Sequence, residues 1–176
     1  MKKIEIADFV IRLLTLLAVV CGGLWAWYLY VESGATDWQN NITIKTEVLP
    51  YHDDLRLLVV HVQSKNPRPT KFELENSKHD SFELRVHTLP AGATVGKVFD
   101  EDEGDLLAHA DLLKSAGGDY VFLPQAEMHD MRAIVVKANT WVSVIADMKI
   151  HTGTRNVHGQ PDIDENSTSA VVYIPK

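Results

Sequence analysis

One cysteine, Cys21, is all that this chain of 176 residues contains, and it lies inside the most apolar stretch. Everything after that stretch therefore has no thiol. No disulfide can staple it, and a hydrophobic core must hold it together. Cys21 is also a poor lipid acceptor. Leu17-Ala18-Val19-Val20-Cys21 lacks the small residue that a lipobox wants immediately before its cysteine, and Gly22-Gly23-Leu24-Trp25 follow where polar residues belong.

Basic residues are scarce as well. Lys2, Lys3 and Arg12 balance Glu5, Asp8 and Glu32, so the whole formal charge of −7 falls on the remainder of the chain. Neutralising phosphates needs clustered Lys and Arg, and no duplex nucleic-acid partner is expected. Reaction motifs are missing too: there is no Gly-x-Ser-x-Gly elbow, no His-Glu-x-x-His pair, no phosphate-cradling glycine loop and no cysteine nucleophile outside the apolar run. No internal repeat or low-complexity tract is visible.

What is present begins with Leu13 to Val31, 19 residues without a charge. As a helix this run spans roughly 28 Å, close to the hydrocarbon thickness of a bilayer. Lys2, Lys3 and Arg12 precede it, and no Lys or Arg follows until Lys45. The positive-inside rule then places the amino terminus in the cytoplasm and the rest outside. Trp25, Trp27, Tyr28 and Tyr30 crowd the outer end, where amphipathic rings favour the headgroups. Ser33-Gly34-Ala35 would suit a signal peptidase, but a cleaved core usually runs only about 7 to 15 residues, so a retained anchor is expected. Ala18, Gly22 and Ala26 recur at every fourth position, a ridge on which a partner helix or a second copy can approach.

The expected organisation is residues 1–12 cytoplasmic, 13–31 a transmembrane signal anchor, 32–37 a short linker and 38–176 one extracytoplasmic domain. A bacterial inner membrane with a periplasmic domain fits best. Past the linker the dominant period is two. Ile42, Ile44, Thr46 and Val48 form one strand face, as do Phe82, Leu84 and Val86, and the row Val142, Val144, Ala146, Met148 and Ile150, with Ile145 the exception on the polar side. Leu55 to Val62 is nearly continuously apolar, as a strand covered on both faces would be, and His61 within it reads as a core residue. Asn66-Pro67-Arg68-Pro69 ends it. Further short runs at 71–74, 120–123, 131–137 and 170–174 complete a mainly β domain: an antiparallel sandwich, immunoglobulin-like or related. Asp105 to Ala116 reads as one short inserted helix, with Leu106, Ala110 and Leu113 on a face and Gly117-Gly118 as a stop.

Three classes of function follow. The first is a binding or assembly module, an accessory subunit that contacts another membrane or extracytoplasmic protein, with homo-oligomers allowed. The second is metal handling. Asp100, Asp102 and Asp105 alternate carboxylates in a turn, as calcium prefers, and Asp162, Asp164 and Asn166 repeat the spacing; neither completes an EF-hand loop. Met128, His129 and Met131 make a soft ligand set suited to copper, to which Met148 could add a sulfur. The simpler reading of the acidic turn is a solvated face that also places negative charge at the start of the following helix. The third is a hydrolase whose Ser, His and Asp are dispersed in sequence. Asn41-Ile42-Thr43 and Asn166-Ser167-Thr168 match the N-glycosylation pattern, which matters only on a eukaryotic secretory route.

Overall fold

The computed structural model describes residues 2–32, 39–92, 94–155 and 159–176. The linker beyond Glu32, the Ser33-Gly34-Ala35 motif and His158 lie outside these residues. The chain divides into two units, Met1–Asp37 and Trp38–Lys176.

The described residues of the first unit form one helix, α1, Lys2–Glu32. Nothing in residues 2–12 breaks a helix, and α1 accordingly begins at Lys2. Asp8–Tyr30 within α1 is 23 residues long and reaches a mean hydropathy of 2.1 in its most apolar 18-residue window, long and apolar enough to cross a membrane. The aromatic belt pairs along the helix, Trp25 with Tyr28 at 5.9 Å and Trp27 with Tyr30 at 6.2 Å between ring centroids.

The second unit is mainly β, in three antiparallel sheets. β1 (Asn41–His52), β2 (Leu55–Lys65) and β7 (Glu127–Lys137) form the first, in the order β1-β2-β7. β3 (Phe72–Glu75) and β6 (Asp119–Phe122) form the second. The third runs β5-β4-β8-β9, from β4 (Ser81–Thr88), β5 (Asp105–Asp111), β8 (Thr140–Arg155) and β9 (Pro161–Ile174). The period-two rows turn inward together. Leu58, Val60 and Val62 of β2, Phe82, Leu84 and Val86 of β4, and Val142, Val144, Ala146 and Met148 of β8 belong to one core. Each such Val, Leu, Phe or Met side chain contributes about 1.5 to 3 kcal/mol through burial. β3 and β6 add Phe72 and Phe122, stacked at 4.5 Å.

The helix expected over residues 105–116 is mostly strand. Asp105–Asp111 pairs with β4, Ala108 and Ala110 pack against the core at a period of two, and Leu106 is exposed. The unpaired backbone of β4 needs a neighbour, and pairing overrides local helix preference. Only α2, Leu112–Ser115, is helical; Asp111 caps it by accepting a 2.8 Å bond from Lys114 N–H, and Gly117 and Gly118, both at positive φ, end it.

His61 is also placed differently from expectation: the outer side of β2 leaves it exposed, while His87, which follows the inward row Phe82, Leu84 and Val86 of β4, is 8% exposed. Part of the reason is the segment between β4 and β5, whose Gly104 carbonyl faces His87 Nδ1 at 3.4 Å. It lies against the outer face of the four-stranded sheet, where Ser167 Oγ donates to Glu101 Oε1 at 3.4 Å. That face is therefore covered as well. Ser143, Ile145 and Asp147 are buried on it, and Val142–Met148 is buried without interruption.

Candidate functional site

The chain enters the domain at Asn40, a buried and fully engaged residue. Its Nδ2 donates to Ser64 Oγ at 2.8 Å and to Met148 Sδ at 3.1 Å, its Oδ1 accepts from Ser64 Oγ at 3.0 Å, and its carbonyl accepts from Asn166 Nδ2. Met148 is thus committed to the core and to Asn40.

From this end both outer sheet faces change character along the strands. On the first sheet the register stacks the rows Asn41–Lys65–Glu127, Thr43–Gln63–His129, Lys45–His61–Met131, Glu47–Val59–Ala133 and Leu49–Leu57–Val135. On the third it stacks Ser81–Lys149–Glu165, Glu83–Asp147–Ser167, Arg85–Ile145–Ser169, His87–Ser143–Val171, and finally Trp141–Tyr173. Both run from charged to apolar. Both apolar ends coincide, because the β7–β8 turn joins Lys137 to Thr140 and Ala138 N–H donates to Asp54 O of the β1–β2 turn at 2.7 Å.

The charged rows hold ion pairs. On the first sheet Lys65 meets Glu127 at 3.0 Å, which holds the Glu127 carboxyl below its usual range, and Gln63 donates to the same carboxylate at 3.0 Å. On the third sheet Asp147 is 2% exposed and lies 3.4 Å from Arg85 and 3.5 Å from Lys149. Burial raises its pKa, against the pull of Lys149. Glu165 shifts the other way, held low by its 3.0 Å bond to Lys149.

At the apolar end lies a groove of about 560 Å³ lined by Leu89, Pro90, Ala91, Phe99, Asn139, Thr140 and Trp141. Leu89 N–H donates to Trp141 O at 2.9 Å, Asn139 N–H donates to Ile174 O at 2.8 Å, and Tyr173 Oη donates to Asn139 Oδ1 at 2.8 Å. The rings of Trp141 and Tyr173 stand 5.0 Å apart, 53% and 42% exposed, and Val171 beside them is exposed too. Leu89, Phe99 and Trp141 come from separate stretches, so no local motif announces the groove, and sequence reasoning missed Trp141; the one signal that could have found it is a large ring on the polar side of β8.

The residues singled out from sequence fall as follows. Asp100 and Asp102 are exposed in the 89–104 segment, where Asp100 O accepts from Glu103 N–H at 3.0 Å, and Asp105 starts β5 opposite Thr88. β7 separates the soft ligands: Met128 points into the core, whereas His129 and Met131 face outward, His129 lying 3.5 Å from Glu127. Asp162, Asp164 and Asn166 lie within strand β9 rather than in a loop. Among the described residues no group of three or more His, Cys, Asp or Glu is placed to hold a metal. Ala18, Gly22 and Ala26 are exposed on α1, and a Cβ added to Gly22 would meet nothing within 4 Å.

Ser143, His87 and Asp147 share the outer face of the third sheet, but His87 Nδ1 faces Gly104 O at 3.4 Å. Asp147 lies four residues along β8 from Ser143, about 13 Å at the rise of a strand, and its ionic neighbours are Arg85 and Lys149.

Comparison with protein-family models, with curated proteins and with solved structures finds no match.

Proposed function

We propose that this chain is a single-pass inner-membrane protein with a cytoplasmic amino terminus, whose β domain, an immunoglobulin-like or related sandwich, works in the periplasm as a binding and assembly module. It serves as an accessory subunit of a membrane complex. The orientation rests on Lys2, Lys3 and Arg12 preceding the span with no further Lys or Arg before Lys45. The binding role rests on one observation: the end of the domain opposite Asn40 keeps a Trp141–Tyr173 ring pair exposed beside an apolar groove. Tyr and Trp are enriched in protein interfaces, and grouped exposed apolar surface marks contact sites.

Extraction of the full chain in a mild detergent, followed by size-exclusion chromatography and identification of the accompanying proteins, tests this. The expected result is a particle larger than the chain in its micelle, containing a second protein in fixed ratio. A lone monomer in every mild detergent contradicts the reading.

A further inference from the structure

Acidic residues border the groove beside Trp141: Leu89, Pro90 and Ala91 of its lining also line a neighbouring cleft with Asp105. Phe99, part of its lining, is followed at once by Asp100, Glu101, Asp102 and Glu103, and then by Asp105. Lys97 pairs with Glu103, and Glu101 is bonded to Ser167. Asp100, Asp102 and Asp105 are exposed and have no ionic partner among the described residues. An apolar floor therefore adjoins negative charge that the chain leaves uncompensated. Lys97 shows what such a surface accepts, because its ammonium sits 4.8 Å from the centroid of the Phe99 ring while pairing with Glu103.

The geometry points to a specific occupant: a segment of a partner protein that places an aliphatic or aromatic side chain in the groove, with Lys or Arg on either side of it. The apolar side chain packs on Trp141, Phe99 and Leu89, and the flanking cations meet Asp100 and Asp102. Desolvating apolar surface supplies affinity, and opposite charge at the rim selects basic over acidic sequences. An anionic lipid surface is disfavoured by the same rim. This rests on the domain being a binding module, and it names which sequences that module takes.

The test uses the full chain in dodecyl maltoside micelles with its tryptophan indoles labelled with nitrogen-15. Three peptides are titrated: acetyl-Lys-Leu-Lys-Leu-Lys-amide, acetyl-Glu-Leu-Glu-Leu-Glu-amide and acetyl-Lys-Ser-Lys-Ser-Lys-amide. The first should shift the Trp141 indole signal saturably, and the other two should bind at least tenfold more weakly. Asp100→Asn with Asp102→Asn, whose exposed side chains make no ion pair among the described residues, should weaken the first peptide about tenfold as read at Trp141, and Phe99→Ser should do the same. Equal binding of the Lys-Leu and Lys-Ser peptides, an unmoved Trp141 signal, or affinity indifferent to both variants overturns the proposal. So does a Trp141 signal that responds to phosphatidylcholine bicelles but not to the peptide, which indicates a membrane contact. If a co-purified complex survives both variants unchanged, the binding-module reading stands and the groove is not its contact. If nothing co-purifies yet the Lys-Leu peptide docks as described, the groove stands and the accessory-subunit reading falls.

Discussion

Gly104 sits where the 89–104 segment rejoins the sheet, at φ 111°, and a Cβ there would lie 1.8 Å from the carbonyl oxygen of Thr88. Both the dihedral and the space exclude a side chain. Gly104→Ala should cost about 3 kcal/mol and should loosen His87, whose Nδ1 faces the Gly104 carbonyl. Thermal melting of the full chain in micelles checks this; an unchanged Tm would show that the strand junction is not as described. Asp147 offers a second test. Its pKa is raised by burial, so its charged form opposes folding, and protons bind the folded state more tightly than the unfolded one. Stability from this group therefore grows as pH falls through its raised value toward the ordinary 3.8. Glu165 works in the opposite direction, its contribution being lost as pH falls through its lowered pKa. Comparison with Asp147→Asn isolates the first effect: the wild type should gain Tm relative to the variant between neutral pH and pH near 4. A difference independent of pH contradicts the burial of that carboxyl. Little of this was legible residue by residue. His87 and Asp147 occupy polar positions of their strands and are buried all the same, whereas His61 looks buried by its neighbours and is not.

At the scale of elements, periodicity carried far. The alternating rows at 42–48, 82–86 and 142–150 are strands with those rows inward, and the proline-rich stretch after Lys65 does end β2. Ile145, which broke the pattern of β8, does so because the outer face is covered too. The run 105–116 misleads for a physical reason. Leu106, Ala110 and Leu113 fit a helical face, but Ala108 and Ala110 fit a strand face equally well, and only the open edge of β4 decides between them. The true helix is short and depends on its cap. Asp111→Ala removes the bond to Lys114 N–H and should cost about 1 kcal/mol, read from the urea midpoint of the full chain in micelles; no change would mean that the turn is held by Leu112 and Leu113 burial alone.

The whole molecule joins a membrane-anchoring helix to a β-rich domain whose outer faces both grade from ion pairs to apolar surface. The anchor was legible because nineteen uncharged residues in water have no other use than burial or a membrane. The three-sheet arrangement and the groove were not, since they depend on which strands pair and on where residues 89–104 come to rest. Every role proposed for the domain requires it to stand outside the cytoplasm. Fusing alkaline phosphatase, active only after export, and separately a cytoplasm-dependent fluorescent protein after Lys176 of the full chain measures this directly. High phosphatase activity with no fluorescence in the membrane fraction is the predicted result. Fluorescence without phosphatase activity would contradict it.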